Sequence, residues 1–165
     1  MQLFWLIGIF FAFVLLGFYI FLHFKSRKIF FENLISFCDH LSIEISFSKN
    51  ITLQVIERYS KSYAKHFQSV LQGYRGLVEG KQDITHQAIT DFMWNRLKPH
   101  EASVIVEFFC ELGRHGAMEE SEKLANKKVQ FNEFLETAKT AQRRDASIYL
   151  KLCIILGIGA VVLLI

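Results

Sequence analysis

Proline occurs once in the 165 residues, as Pro99, and glycine only nine times. A chain so poor in both is not linker-rich, and its 52% apolar content excludes a disordered one. Cysteine is scarce as well. Cys38, Cys110 and Cys153 sit among apolar neighbours with no CxxC or CxxH spacing, the pattern of small buried hydrophobes rather than metal ligands or a disulfide. The net charge of +3 is too slight for a nucleic-acid-binding face, which needs lysine and arginine clustered well beyond the local acids. Charge is almost missing from the two ends: all 16 acidic residues lie between Glu32 and Asp145, and 18 of the 19 basic ones between Lys25 and Arg144.

What the ends do have is apolar length. Leu3 to Leu22 is a run of 20 uncharged residues, ~30 Å as a helix, which matches the hydrocarbon core of a bilayer. Basic residues follow it instead of preceding it, so it reads as a retained anchor and not a cleaved signal peptide. The other end is shorter. Leu152 to Ile165 gives 14 residues, ~21 Å, which grows to ~27 Å if the span begins near Ile148 and Lys151 snorkels to the headgroups. A C-terminal helix packed on the first anchor, or lying in the interface, is the alternative. Lys25, Arg27 and Lys28 flank the first span and Arg143, Arg144 and Lys151 the second, all on the side of the central segment. These membrane-flanking basic anchors make the centre cytoplasmic and put both termini outside. The expected division is residues 1–24 as an N-terminal transmembrane helix, 25–147 as a cytoplasmic helical bundle and 148–165 as a C-terminal transmembrane helix. The sequon Asn50-Ile51-Thr52 would then never meet the glycosylation machinery.

The expected fold class is all-α, with about six helices of which the first and last cross the membrane. Phe30, Leu34, Phe37, Leu41 and Ile45 recur at steps of four and three, so the first span should continue as an amphipathic helix; the alternation of Ile43, Ile45 and Phe47 is too brief to favour a strand. Thr52 or Asn50 should cap a short helix with Leu53, Ile56 and Tyr59. The next, from about Ser62, carries Phe67, Val70, Leu71, Tyr74 and Val78 and ends at Gly80. Thr85 should cap a helix that places Ile89, Phe92, Met93 and Leu97 inward, and Pro99 suits the first turn of another with Val104, Ile105, Phe108 and Leu112, closed by Gly113 and Gly116. The last, from about Met118, presents Leu124, Phe131, Leu135 and Ala138 and runs on into the second anchor.

No constellation reads as chemistry. Gly76-Leu77-Val78-Glu79-Gly80-Lys81 has three residues between its glycines where a phosphate loop needs four, and Gln82 where it needs Ser or Thr. His23, His40, His66, His86, His100 and His115 never pair at the i, i+4 spacing of a metal site. Glu107 with Glu111, and Glu119 with Glu120, read as solvated faces. The sequence therefore offers no catalytic, cofactor-binding or metal residues, and no small-molecule or nucleic-acid ligand. More phenylalanine is present than a bundle of this size needs, so some should lie at a partner interface.

Several local patterns resemble the stage III sporulation protein AB family of endospore-forming bacteria. They are Glu44-Ile45-Ser46-Phe47, similar to the family's Glu-Ile-x-aromatic; Leu53, where the family has Pro-Leu; Leu97 with Glu101 and the apolar positions up to Phe109; and Leu112-Gly113-Arg114-His115, similar to Leu-Gly-x-x-Asp. The layout, a long charged helix running into a short apolar end, also agrees. Gly116 stands where the family's Asp is usual and Thr52 where its Pro is common, and the glycine usual near Phe109 is missing; none of these is a catalytic position. The resemblance implies a cytoplasmic domain similar to the F-type platform domain of type II secretion and type IV pilus systems. It also implies a non-enzymatic platform in the channel between mother cell and forespore, in the mother-cell membrane, with the other channel subunits and an ATPase-like subunit as partners. The rival reading is a small membrane enzyme or transporter subunit with a site inside the bundle. A transporter would place ionisable groups within the spans, where only Lys151 stands, near an edge.

Overall fold

The computed structural model describes residues 2–45, 51–113 and 117–164, and among them every regular element is a helix. In chain order these are α1 (Gln2–Ile45), α2 (Ile51–Tyr59), α3 (Lys65–Glu79), α4 (His86–Thr90), α5 (Pro99–Glu111), α6 (Ala117–Ala141) and α7 (Ser147–Leu164). A 3-10 turn at Ser60–Ser62 extends α2, and a π-helical turn at Gln142–Ala146 joins α6 to α7, so the elements form six helical stretches. Asn50, Phe47, Arg114, His115 and Gly116 lie outside the described residues. The chain packs as two units, residues 29–135 and residues 1–28 with 136–165. This division follows packing, whereas the expected boundaries at 25 and 147 follow the membrane.

In the central unit the expected face of α1 is inside: Phe30, Phe31, Leu34, Phe37, Cys38 and Leu41 are all buried. Phe37 is the hub, with its ring 5.9 Å from Phe67 of α3, 6.3 Å from Phe109 of α5 and 6.4 Å from Tyr63. Phe109 continues the cluster to Tyr74 and Phe108, and Phe108 to Phe131 of α6, mostly in edge-on or tilted arrangements that suit the ring quadrupoles. Interlocking rings of this kind account for the phenylalanine content. No described phenylalanine of the central unit is exposed, and those that are, Phe4, Phe11 and Phe18, lie in the first apolar run. Among the described residues the phenylalanine surplus thus belongs to that run.

Local signals fixed several ends as expected. Thr85 accepts from the Ala88 N–H, and Pro99 opens α5 because its missing N–H costs nothing there. Gly113 sits at φ +80°, the left-handed region that favours glycine. Two expectations need correction. Ile51 already opens α2, so Thr52 lies inside the helix and cannot be its cap. Only His86–Thr90 of the fourth helix forms; Phe92, Met93 and Leu97 follow in turns, and Pro99 holds Lys98 to extended backbone (ψ 149°), which closes off helix before it. The third helix does end at Gly80, as expected, with right-handed backbone there (φ −73°) and the left-handed residue at Lys81 (φ 50°). Glycine at 80 serves space: a Cβ there would lie 2.9 Å from the Gly76 carbonyl oxygen.

Candidate functional site

The unit formed by residues 1–28 and 136–165 turns large apolar side chains outward. Phe4, Phe11, Leu15, Phe18 and Tyr19 on α1 are more than half exposed, as are Ile155, Leu156, Ile158 and Val162 on α7. A water-soluble surface does not carry so much contiguous apolar area, and both helices are long and apolar enough to cross a membrane. They meet through small residues. Gly17 of α1 lies so close to α7 that a Cβ on it would stand 3.0 Å from Cys153 Cβ, and one on Gly157 would stand 3.2 Å from Phe10 and Phe13. Close approach at glycine is how helices gain packing where no hydrophobic effect drives them together. Phe24 and Tyr149 stack at 6.3 Å. The 18 residues of α7 reach ~27 Å, the length expected for a span from near Ile148.

The basic residues expected to flank the spans do not have equal surroundings. Lys25, Arg143, Arg144 and Lys151 are exposed and Lys28 is half-buried, whereas Arg27 is buried at 6% exposure, so its guanidinium is taken up inside the protein. Arg143 and Arg144 sit in the π-helical turn, which widens the backbone just before α7.

The residues singled out by pattern in the central unit do not converge on one place. Glu44 pairs with Arg58 at 2.5 Å, and Leu53 is half-buried. The side chain of Ile45 is not described. Leu97 is buried, and Glu101, buried at 3% exposure, accepts from the Lys98 N–H at 3.1 Å, holding the entry to α5. At the far end of α5 the Leu112 carbonyl accepts from the Tyr74 hydroxyl at 3.4 Å, and the Gly113 N–H donates to Glu120 at 2.6 Å. Beside this corner a shallow groove, open to solvent, is lined by Phe108, Leu112 and Leu124 together with Glu111, Glu120, Lys123 and Lys127.

Three of the four carboxylates read as a solvated face, Glu107, Glu119 and Glu120, are engaged near it. Glu107 pairs with Lys127 at 2.6 Å, and this hydrogen bond, with the charge of Lys127, holds its carboxyl below the usual range. Glu119 pairs with Lys123 at 3.3 Å. Among the described residues no three His, Cys, Asp or Glu side chains are grouped to hold a metal. Burial pushes the Cys38 thiol up to about 12, which keeps it neutral, and raises the Tyr63 phenol to about 12. Three of the histidines have a role the sequence did not disclose, as ring partners: His40 stacks on Tyr59 at 3.8 Å and bonds Tyr63 at 2.7 Å, His66 stacks on Trp94 at 4.7 Å, and His100 packs edge-on against Phe134 at 5.7 Å. Only the abundance of aromatic residues hinted at it.

A sequence profile of stage III sporulation protein AB matches residues 2–165, effectively the whole chain. The chain belongs to that family. No curated protein and no solved structure matches it. Membership makes this a protein of the third stage of sporulation. Within the family pattern, Leu112-Gly113 and Glu101 are the positions whose local geometry is explained: they end and begin the same helix, α5.

Proposed function

We propose that this chain is a non-enzymatic platform in the mother-cell membrane, anchored by α1 and α7 and offering its central helical unit to the other subunits of the channel between mother cell and forespore. The carrying observation is the pairing of whole-chain membership in a stage III sporulation family with two apolar helices whose large side chains face outward. Basic residues beside both apolar segments favour a cytoplasmic centre with both termini outside. A partner with an ATPase-like fold on the cytoplasmic side belongs to the same reading.

Purification of the tagged full-length protein from sporulating cells, in mild detergent, tests it. Other membrane and ATPase-like subunits of the channel are expected to co-purify, and deletion should block sporulation at its third stage. Isolation without any such subunit, from cells that need the protein, would overturn the platform reading.

A further inference from the structure

The helical stretch that carries the end of α6 into α7 has a buried side with one irregular step. Ala138 and Ala146 are enclosed, at 1% and 0% exposure, and Cys153 and Gly157 continue the same side along α7. From Ala146 the steps are seven and four residues, which an α-helix of about 3.6 residues per turn brings back to one face. From Ala138 to Ala146 the step is eight. In an unbroken α-helix those two side chains would stand ~80° apart, since each residue advances by ~100°. The π-helical turn at Gln142–Ala146 occupies this interval. Such a turn accommodates one residue more than an α-helical one, so it takes up the surplus.

The phase it restores matters because the side of α7 that meets α1 is its small one. Cys153 lies against Gly17, and Gly157 against Phe10 and Phe13, at distances that only small side chains permit. One position earlier along the chain stand Asp145, Leu152 and Leu156. Asp145 is half-buried, and the two leucines are 47% and 58% exposed. A straight α-helix from Ala138 would turn these three inward in place of Ala146, Cys153 and Gly157. The carboxylate would then lose water on the buried side. The leucines would have to fit where α1 and α7 now approach through glycine.

We infer that the π turn is a phase-setting device: it holds the small side of α7 on α1 by absorbing the one residue that the chain has in excess between the charged helix and the apolar one. This concerns the packing of α7 on α1 alone and does not depend on a bilayer around them.

Changing the number of residues at the turn is the test. The parent is the full-length protein with Cys38→Ala, Cys110→Ala and Gly17→Cys, and a disulfide from position 17 to Cys153, formed on mild oxidation of membranes, reads the phase. Deletion of Gln142 leaves the α-helical count between the two alanines, so the π turn should close into α-helix. Bridging to Cys153 should then match the parent, and the thermal midpoint should not fall. Deletion of Ala141 should do the same, since the count and not the side chain decides. Insertion of one alanine after Gln142 exceeds what a single π turn absorbs, and most of the bridge should be lost. If the deletions move the bridge from Cys153 to the next position, read with Ile154→Cys and Cys153→Ala, the turn does not absorb the surplus and the inference is overturned. It is overturned as well if the insertion bridges as fully as the parent, because the connection is then slack and sets no phase. Failure of both deletion variants to accumulate, beside a parent that does, has the same meaning.

Discussion

A Cβ on Gly73 would lie 2.5 Å from Cγ of Phe92, so α3 and the turn after α4 touch at a point where no side chain fits. Cγ is the root of the ring, not its flexible end, so the ring must move bodily to admit a methyl group. Gly73→Ala therefore has two opposed effects. Alanine improves the helix by ~1 kcal/mol, and overpacking costs ~1–3 kcal/mol. A lower thermal midpoint of the detergent-solubilised protein is expected. With Phe92→Ala in the background, the same substitution should become neutral or stabilising. Destabilisation of equal size in both backgrounds would show that the ring is not the obstacle.

Leu112 and Gly113 close α5 by different means. Gly113→Val must place a branched side chain at φ +80°, which costs ~1 kcal/mol or more. Leu112→Ala empties a buried site, at ~2–5 kcal/mol. Both variants should unfold at lower temperature and accumulate less in cells. If both keep the wild-type midpoint yet fail in channel assembly, the corner and its groove act as a partner surface instead of a structural turn.

The neutral Cys38 thiol and Tyr63 phenol set an alkaline limit. Each has its folded value raised to about 12, from 9.0 for the thiol and 10.0 for the phenol, chiefly by burial. The folded protein thus holds these protons more tightly than the unfolded chain. Their stabilising effect is complete below pH 9.0, and it is lost as pH rises toward about 12. Denaturant midpoints should fall with pH above that onset, and less steeply in Cys38→Ala. The same slope in the variant would remove the thiol from the explanation.

Much of this was legible in the sequence where a rule is local. The buried face of α1, the Thr85 cap, Pro99 at the start of α5 and the left-handed Gly113 each depend on a few neighbouring residues. The misses depend on tertiary context. Phe92 read as a helix-face residue, but the chain ends α4 early and uses the ring to cover Gly73. Gly80 read correctly as the end of α3, but that the Gly76 carbonyl leaves no room for a Cβ there was not legible. Arg27 looked like Lys25 and Lys28 in the sequence, and nothing in the spacing marked it for burial. The histidine stacks join residues far apart in the chain, beyond any motif.

The topology assigned to the anchors has its own check. After replacement of the native cysteines, single cysteines at Gln2 and Ile165 should react with a membrane-impermeant thiol reagent in intact cells, and one at Lys81 should not. Labelling at Lys81 would reverse the topology.

One of the close approaches that pair the two apolar helices can be trapped by chemistry. Gly17 faces Cys153 so closely that a Cβ on it would stand 3.0 Å from the cysteine's own, slightly nearer than the roughly 3.5–4.5 Å usual in disulfides. A shift of a few tenths of an ångström is all that a bridge requires. In a background where Cys38 and Cys110 are alanine, Gly17→Cys should form a bond to Cys153 in membranes on mild oxidation. The product should be intramolecular, with altered electrophoretic mobility and no dependence on protein concentration. Gly8→Cys is the control, because a Cβ there meets nothing within 4 Å. Gly17→Ile should weaken the pairing by overpacking, at ~1–3 kcal/mol, while Gly8→Ile should leave it intact. If Gly17→Cys and Gly8→Cys cross-link to the same extent, or if the bonded product is a dimer, α1 and α7 do not pair within one chain through this glycine.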